Sequence, residues 1–111
     1  MHLLAPTDLA ALRASERDVD VIDVRDPEEW YASGHIEGAK LIPLADLRAD
    51  PDAVLVHGHV LVFVCAKGVR GMQAAKLAER FGHERVYNID GGTQGWVNAG
   101  LPLVRDTPAA A

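Results

Sequence analysis

One strand-to-helix junction constrains this chain more than any other part of its sequence. The run Val60–Val64 is entirely apolar and rich in β-branched residues, a composition typical of a buried strand. The run leads into Cys65, the only cysteine of the chain, and a helical pattern over residues 71–80 begins a few positions later. The sequence therefore predicts that a strand, a short loop and a helix N-terminus meet at a single thiol.

Short strand-like runs alternate with helical patterns along the rest of the chain. Strands are predicted over residues 3–4, 19–24, 40–42, 60–64 and 85–89, and helices over 8–14, 27–33, 44–49, 50–56, 71–80 and 93–99. This alternation predicts an α/β fold with a central, mostly parallel five-stranded sheet. Ligands of such sheets bind beyond the carboxyl ends of the strands, which is where Cys65 lies.

Local signals mark two helix starts and one helix face. Thr7 is predicted to cap the first helix with its side chain. Asp26 at the N-cap, Pro27 at the first position and Glu29 at the third predict a capping box for the second helix. The helix that follows Cys65 is predicted to bury a face that consists of Ala74, Leu77, Ala78 and Phe81.

Length and composition narrow the class of protein. A length of 111 residues suits one domain, which we expect over residues 1–104, with a loose tail over 105–111. A net charge of −5 disfavours a general nucleic-acid binder, because phosphate attraction needs a basic face. A single cysteine rules out an internal disulfide and a cysteine-based zinc cluster, and it suits a reducing compartment. The sequence contains neither a leader-like pattern nor an apolar run of membrane length, so we expect a cytoplasmic location.

The loop after Cys65 has the features of a site that stabilises a thiolate. A helix N-terminus offers unpaired backbone N–H groups, and Gly68 allows the loop to curl so that further N–H groups point inward. Lys67 and Arg70 add two positive charges, and Arg70 is the better candidate for a fixed fork on an oxyanion. A lone cysteine at the end of an apolar strand is also commonly an inert, buried side chain. The adjoining glycine, the cations and the helix start favour the reactive site.

Loop length distinguishes between the anions that such a site could bind. Four residues separate Cys65 from Arg70, whereas cysteine phosphatases place five residues between these two positions. A loop that is one residue shorter forms a smaller cradle, which suits a single bound sulfur atom better than a tetrahedral oxyanion.

Three motifs, in order along the chain, resemble those of the rhodanese family in its single-domain form. The loop from Cys65 to Arg70 is similar to the six-residue active-site loop of that family. The two flanking signatures that agree consist of Asp23, Val24, Arg25, Glu29, Trp30 and residues 34–39 on one side, and of Asp90, Gly91, Gly92, Trp96, Ala99, Gly100 and Pro102 on the other.

This resemblance implies a sheet with helices on both faces and a sulfurtransferase activity. Cys65 would be the nucleophile that takes a sulfane sulfur from thiosulfate or a related donor, holds it as a persulfide and passes it to a thiophilic acceptor such as cyanide or a thiol. The loop residues that would bind the substrate, chiefly through backbone N–H groups, are Ala66, Lys67, Gly68, Val69, Arg70 and Gly71. The resemblance implies no metal and no organic cofactor, and an open loop leaves room for a protein sulfur acceptor.

The loop departs from the family pattern at two positions. A serine often follows the loop arginine, whereas this chain has Gly71, which is predicted to be the N-cap of the helix. Val69 makes the loop less polar than that of many relatives. Both changes bear on the choice of sulfur donor.

Other functions are compatible with the same residues. The chain could be a non-catalytic binding or regulatory module, although intact Cys65 and Arg70 disfavour this. It could relay sulfur to a partner protein with slow thiosulfate turnover. An arsenate reductase or phosphatase is disfavoured by the length of the loop.

The remaining polar residues are interpreted as structural. Asp23, Arg25, Glu29 and His35 are predicted to form a network around the loop after the second strand rather than an acid/base group, because thiolate attack on sulfane sulfur needs no separate base. His57 and His59 are interpreted as part of a turn rather than a metal pair, because the sequence shows no third ligand nearby. The residues assigned no ligand-binding role are His2, His83, Trp30, Trp96 and the pair Gly91 and Gly92.

Overall fold

A computed structural model describes residues 1–106 of the chain. Its five strands are β1 (His2–Leu4), β2 (Val19–Asp23), β3 (Lys40–Leu41), β4 (Val60–Val64) and β5 (Val86–Ile89). Its six α-helices are α1 (Leu9–Ser15), α2 (Pro27–Ser33), α3 (Leu44–Ala49), α4 (Pro51–Val54), α5 (Val69–Arg80) and α6 (Gly92–Asn98). Among these residues no helix combines the length and apolar character that a membrane crossing requires.

The strands form one parallel sheet in the order β1-β5-β4-β2-β3. This arrangement confirms the predicted α/β class and the five-stranded sheet. The most apolar strand, β4, lies at the centre, where both of its faces are covered. The register pairs Asp23 with Val64, so β2 and β4 end at the same level and the residues after them share one edge.

Helices cover both faces of the sheet, as expected. Strand β4 sends Leu61 and Phe63 to one face, where α3 and α5 pack, and its valines to the other, where α1 and α6 pack. Helix α5 packs through small residues, because Ala74, Ala75 and Ala78 are fully buried. The prediction that Phe81 belongs to this buried face is wrong: it follows the last helical turn as the C-cap and is 44% exposed.

The predicted helix starts had different outcomes. The capping box of α2 is confirmed, and the backbone N–H of Asp26 donates to Glu29 Oε1 at 3.1 Å. Thr7 does not cap α1, because Pro6–Asp8 forms a 3-10 turn and α1 begins after it at Leu9. Gly71 is not the N-cap of α5: the helix begins at Val69, and Gly68, with a φ of 114°, is the N-cap. A left-handed backbone at Gly68 reverses the chain earlier than the apolar pattern indicated.

The end of the described chain is attached to the body of the domain. Val104 forms an antiparallel bridge with His35. Asp106 accepts hydrogen bonds from Trp30 Nε1 at 2.7 Å and, through Oδ1, contacts His35 Nε2 at 2.6 Å. Asp106 therefore contacts the body of the domain. Residues 107–111 of the tail predicted over 105–111 lie outside the described part of the chain. The domain boundary at residue 104 stays a prediction.

Candidate active site

The thiol of Cys65 lies directly beyond the carboxyl end of the central strand and is 1% exposed. The backbone N–H of Gly68 donates a hydrogen bond to Cys65 Sγ at 3.0 Å. Gly68 has a φ of 114°, which is accessible to glycine and rarely to other residues, and this conformation turns the chain from the loop into α5. The loop predicted from the sequence is thus closed around the sulfur atom.

The N-terminus of α5 opens at the same loop. The first intrahelical bond runs from Met72 N–H to the carbonyl of Gly68 at 3.0 Å. The N–H groups of Val69, Arg70 and Gly71 precede it and have no acceptor within the helix, so the positive end of the helix lies beside the thiol. An anion that extends outward from Cys65 would meet these donors.

The start of α6 supports the loop from behind. Thr93 N–H donates to the carbonyl of Cys65 at 2.7 Å, and Gln94 N–H donates to the carbonyl of Ala66 at 3.0 Å. The backbones approach so closely that a Cβ at Gly92 would lie 2.3 Å from the Cys65 oxygen and 2.6 Å from the Ala66 oxygen. Gly92 is therefore needed for the close packing of α6 against the loop.

The side chain of Asn88, on β5, occupies the space beside Gly71. Its Nδ2 donates to the carbonyl of Gly68 at 3.0 Å, and Asn88 is 1% exposed. A Cβ at position 71 would lie 2.2 Å from Asn88 Oδ1, so a serine does not fit there in this structure. This contact explains the departure of Gly71 from the family pattern. Sequence reasoning missed it because Asn88 is 17 positions away and shows no motif.

Arg70 forms a two-pronged ion pair with Glu29 of α2. Nη1 and Nη2 of Arg70 donate to the two carboxylate oxygens of Glu29 at 2.6 Å and 2.8 Å. These hydrogen bonds lower the pKa of Glu29 to about 2 and raise the pKa of Arg70 above its ordinary value. The fork that was predicted to hold an oxyanion is thus occupied by Glu29, and an oxyanion would have to displace this carboxylate to use it.

A buried ion pair stabilises the neighbouring edge of the sheet. Asp23 and Arg25 are 0% and 1% exposed, and Arg25 donates to the Asp23 carboxylate from Nε at 2.9 Å and from Nη2 at 2.8 Å. Arg25 also donates to Ser33 Oγ at 2.9 Å and to the carbonyl of Gly34 at 2.7 Å. These bonds tie the end of β2 to the end of α2, as the structural interpretation of these residues predicts.

His35 is held away from any acid/base partnership with the loop. Its ring stacks on Trp30 with centroids 3.6 Å apart, and its Nδ1 lies 2.9 Å from the carbonyl of Ile36. With Asp106 on its other nitrogen, both ring nitrogens are engaged. The imidazole therefore helps to attach the segment around Asp106 to the body of the domain.

Two surface grooves flank the loop, and the exposed side chain of Lys67 borders both. The α5-side groove is lined by residues that include Leu3, Lys67, Val69, Met72, Asn88 and Gly91. The α2-side groove is lined by residues that include Arg25, Glu29, Ala66, Lys67, Gln94 and Val97. Lys67 forms no ion pair with the described residues, in contrast to Arg70.

The histidines near the opposite end of the sheet contradict one expectation from the sequence. His57 stands next to Asp52 and to His83, so potential third and fourth donors are nearby. His59, by contrast, pairs through Nδ1 with Asp20 Oδ2 at 2.8 Å. The statement that no third ligand lies near His57 was wrong, because residues far apart in the sequence meet at the turns before β4 and β5.

The structure combines a parallel α/β sheet with a cysteine-centred loop and a helix N-terminus at the carboxyl edge of that sheet. Comparison with known families gives a match to the rhodanese-like domain over residues 5–99. The chain therefore belongs to the rhodanese-like family.

Individual relatives extend this result. The chain is 37% identical over 98 residues to the thiosulfate sulfurtransferase GlpE of Pseudomonas aeruginosa, with 84% of this chain and 81% of that protein covered. It is 36% identical over 84 residues to the uncharacterized protein YqhL of Bacillus subtilis, where the match covers 76% of this chain and only 65% of the relative. A crystal structure of a rhodanese-related protein from Thermoplasma volcanium superposes with a TM-score of 0.83 at 26% identity and covers 96% of this chain and 100% of that one.

Proposed function

We propose that this chain is a sulfurtransferase that carries a sulfane sulfur on Cys65. The observation that supports the proposal most strongly is the hydrogen bond from Gly68 N–H to Cys65 Sγ at 3.0 Å, in a loop that opens on the N-terminus of α5. Donors aimed at a sulfur atom stabilise negative charge on that atom. A relative named thiosulfate sulfurtransferase adds support from the family.

The first half-reaction loads the sulfur. The Cys65 thiolate attacks the outer sulfur of thiosulfate, a new S–S bond forms, and sulfite leaves with the electron pair of the bond that breaks. The product is a persulfide anion on Cys65. Because an S–S bond is about 2 Å long, the outer sulfur stays close to the loop, and the N–H groups of Val69, Arg70 and Gly71, which have no acceptor within α5, are candidates to stabilise its charge.

The second half-reaction unloads it. Cyanide or a thiolate attacks the outer sulfur, and the S–S bond breaks so that its electron pair returns to Cys65. Cyanide leaves as thiocyanate and a thiol leaves as a persulfide, so the enzyme is regenerated without an external oxidant or reductant. The two substrates react in turn at one sulfur atom, which is a ping-pong scheme through a covalent intermediate.

Steady-state kinetics test this proposal. Rates measured with thiosulfate and cyanide both varied should give parallel lines in a double-reciprocal plot. Cys65→Ser should lower kcat by at least about a thousandfold, because serine forms no persulfide. Intersecting lines, or turnover that survives in Cys65→Ser, would contradict the proposal. Hydrolysis of an aryl phosphate by the same preparation would instead support the phosphatase alternative.

A sulfur relay to a partner protein is a second candidate. Exposed apolar side chains border the two grooves beside the loop, namely Leu3, Val69 and Val97 at 56%, 69% and 50% exposure. Apolar side chains around a reactive sulfur suit contact with a protein acceptor. Rapid loading of Cys65 by thiosulfate together with slow discharge to cyanide would favour the relay, whereas equally fast steps would favour a small-molecule enzyme.

A further inference from the structure

Three metal-ligating side chains meet at the amino end of the sheet, on the side opposite the Cys65 loop. Asp52 belongs to α4, His57 to the turn before β4 and His83 to the turn between α5 and β5. One ligand atom from each residue lies within 4.8 Å of the other two. We call these three residues the histidine cluster.

His83 is the least expected member of the histidine cluster. It is only 5% exposed, yet neither of its ring nitrogens has a hydrogen-bond partner among residues 1–106. The ring of His57 stacks on it, with centroids 4.0 Å apart and planes 11° apart. A buried polar group normally has a partner, so the two unpartnered imidazole nitrogens of His83 are donor atoms that a ligand could use.

The charge state of His83 suits a metal ion. Burial, with a smaller contribution from His57, lowers the pKa of His83 below its ordinary value. Neutral imidazole is the form that binds metals, so the direction of this shift is compatible with the site that the geometry defines. Arg85 lines a surface groove together with His57 and His83, but its charge is engaged in an ion pair with Glu16 at 2.6 Å.

We propose that the histidine cluster binds one divalent transition-metal ion such as Zn²⁺. Two imidazoles and one carboxylate match the ligands of zinc sites with three protein donors and one open position. The hard cation Mg²⁺ prefers oxygen ligands and should not compete.

Binding requires a local rearrangement that the structure permits. Tetrahedral coordination by ligand bonds of 2.0–2.1 Å places neighbouring ligand atoms about 3.3 Å apart. The side chains of His57 and Asp52 are 56% and 63% exposed, so they can rotate toward the fixed ring of His83. The lone pair of an imidazole nitrogen lies in the plane of its ring, and the two stacked rings lie in nearly parallel, separate planes, so binding of one ion by both must open the stack. The ion would then fasten α4 to the turns before β4 and β5.

Calorimetric titration of the full chain with ZnCl₂ tests this proposal. The Cys65→Ser variant without an affinity tag is used, so that no thiol competes for zinc. We expect one Zn²⁺ per chain, no heat with MgCl₂, and a melting temperature that rises with Zn²⁺ concentration. Co²⁺ should give the visible absorption of a low-symmetry site with nitrogen ligands.

Variants identify the ligands. His57→Gln and Asp52→Asn change exposed side chains, so they should fold normally. His57→Gln should weaken Zn²⁺ binding by at least about tenfold, since even outer-shell partners of metal ligands change affinity by that much. His59→Gln is the matched control from the same turn and should bind as the parent does. Absence of stoichiometric binding, or equal affinity in His57→Gln and the parent, would overturn the proposal.

A separate observation concerns the pair formed by Asn88 and Gly71. The Asn88 amide holds the Gly68 carbonyl at 3.0 Å, while the N–H of the same Gly68 donates to Cys65 Sγ at 3.0 Å. The left-handed Gly68 is thus fixed at both ends. Only a residue without a side chain at position 71 leaves room for the Asn88 amide.

We infer that Asn88 is a positioning residue that aims the Gly68 N–H at the sulfur of Cys65, in a role that rests on the proposed function. Its amide replaces the support that a serine at position 71 would give the loop. Asn88 does not touch the sulfur and acts only through Gly68.

Alkylation of Cys65 by iodoacetamide tests this inference, and it requires no sulfur transfer. Asn88→Ala should lower the alkylation rate at neutral pH by about fivefold, the equivalent of one lost hydrogen bond. Asn98→Ala, at an exposed asparagine of α6, should leave the rate unchanged. A normal rate in Asn88→Ala would overturn the inference, whereas a parent chain that is alkylated normally but shows no sulfur transfer would count against the proposed function instead.

A double variant tests the exchange between the two positions. Gly71→Ser alone should lower the alkylation rate, because its Cβ overlaps Asn88 Oδ1. Gly71→Ser combined with Asn88→Ala should lose less than the sum of the two single losses, since the overlap is removed. Additive losses, or a harmless Gly71→Ser, would show that the two side chains do not exchange roles.

Discussion

At the carboxyl end of the sheet the buried charges of Asp23 and Arg25 satisfy each other, whereas at the amino end the buried imidazole of His83 has no hydrogen-bond partner among the described residues. The two ends belong to the same parallel sheet and differ in how burial is compensated. At the carboxyl end the Asp23–Arg25 pair and Nδ2 of Asn88 form hydrogen bonds that hold the sheet edge and the Cys65 loop, while Oδ1 of Asn88 has no hydrogen-bond partner among the described residues. Free nitrogen atoms at the amino end leave coordination capacity for a ligand. Buried polar groups can therefore position a site or form one, and their partners distinguish the two cases.

The largest loss of stability is expected when one partner of the buried Asp23–Arg25 pair is removed. Asp23→Ala leaves the charge of Arg25 buried and unpaired, which should lower the free energy of unfolding by about 3–5 kcal/mol. Urea unfolding at neutral pH measures the change. Asp20→Ala is the control on the same strand; its partners His59 and Lys40 are partly exposed, so it should cost about 1 kcal/mol or less. Similar losses in both variants would show that the buried Asp23–Arg25 pair matters no more for stability than the partly exposed contacts of Asp20.

A smaller effect is expected where α6 supports the loop. Gly92→Ala introduces a Cβ 2.3 Å from the Cys65 carbonyl and should cost about 1–3 kcal/mol, with loss of most turnover. Gly100→Ala shares the positive φ but has open space around its Cβ, so it should lose stability from backbone strain and keep kcat. Thermal unfolding and kcat are compared in both variants. Equal kcat values would show that close approach at Gly92 does not shape the loop.

At the amino end of the sheet, replacement of the buried His83 should not lower the free energy of unfolding. With metal removed by EDTA, His83→Leu should leave the free energy of unfolding unchanged or raise it by up to about 1 kcal/mol, because no hydrogen bond is lost. Burial lowers the pKa of His83, so the unfolded chain binds the proton first as the pH falls through about 6.5. The free energy of unfolding is therefore unaffected by His83 protonation above that pH. Below that pH it decreases, because protons bind preferentially to the unfolded chain. Urea unfolding at about pH 7.5 and about pH 5.5 should show a loss in the parent and a smaller loss in His83→Leu.

The smallest effect is expected at Lys67, which lies beside the loop and forms no ion pair with residues 1–106. Lys67→Ala should raise the KM for thiosulfate a few-fold and leave kcat nearly unchanged, if Lys67 stabilises the bound anionic donor and the transition state equally. Lys76→Ala removes the same charge from the same α5-side groove and should change KM less. An unchanged KM in Lys67→Ala would reject this role.

The sequence predicted the scaffold well because the signals are local. The apolar run Val60–Val64 and the capping box at Asp26 depend on neighbouring residues, and both appear where expected. The loop from Cys65 to Arg70 was recognisable as a motif for the same reason. The start of α5 was misplaced by two residues, since the left-handed backbone of Gly68 begins the helix before the apolar pattern does.

The features that the sequence did not reveal are contacts between distant residues. Glu29 and Arg70 are 41 positions apart, and neither position indicates that the carboxylate will occupy the fork. Asn88 resembles any strand asparagine until the sheet brings it beside Gly71. His83 carried no signal, because its relation to His57 depends on which turns share the amino edge of the sheet. Such pairings follow from topology and packing, which local propensity does not encode.

The proposed role of Cys65 as a sulfur carrier is tested by the mass of the intact chain after incubation with thiosulfate. We expect a gain equal to one sulfur atom, localised to Cys65 by peptide mapping, reversed by cyanide and absent in Cys65→Ser. A chain that gains no sulfur from thiosulfate, mercaptopyruvate or a low-molecular-weight persulfide, while Cys65 remains reactive toward iodoacetamide, would contradict it.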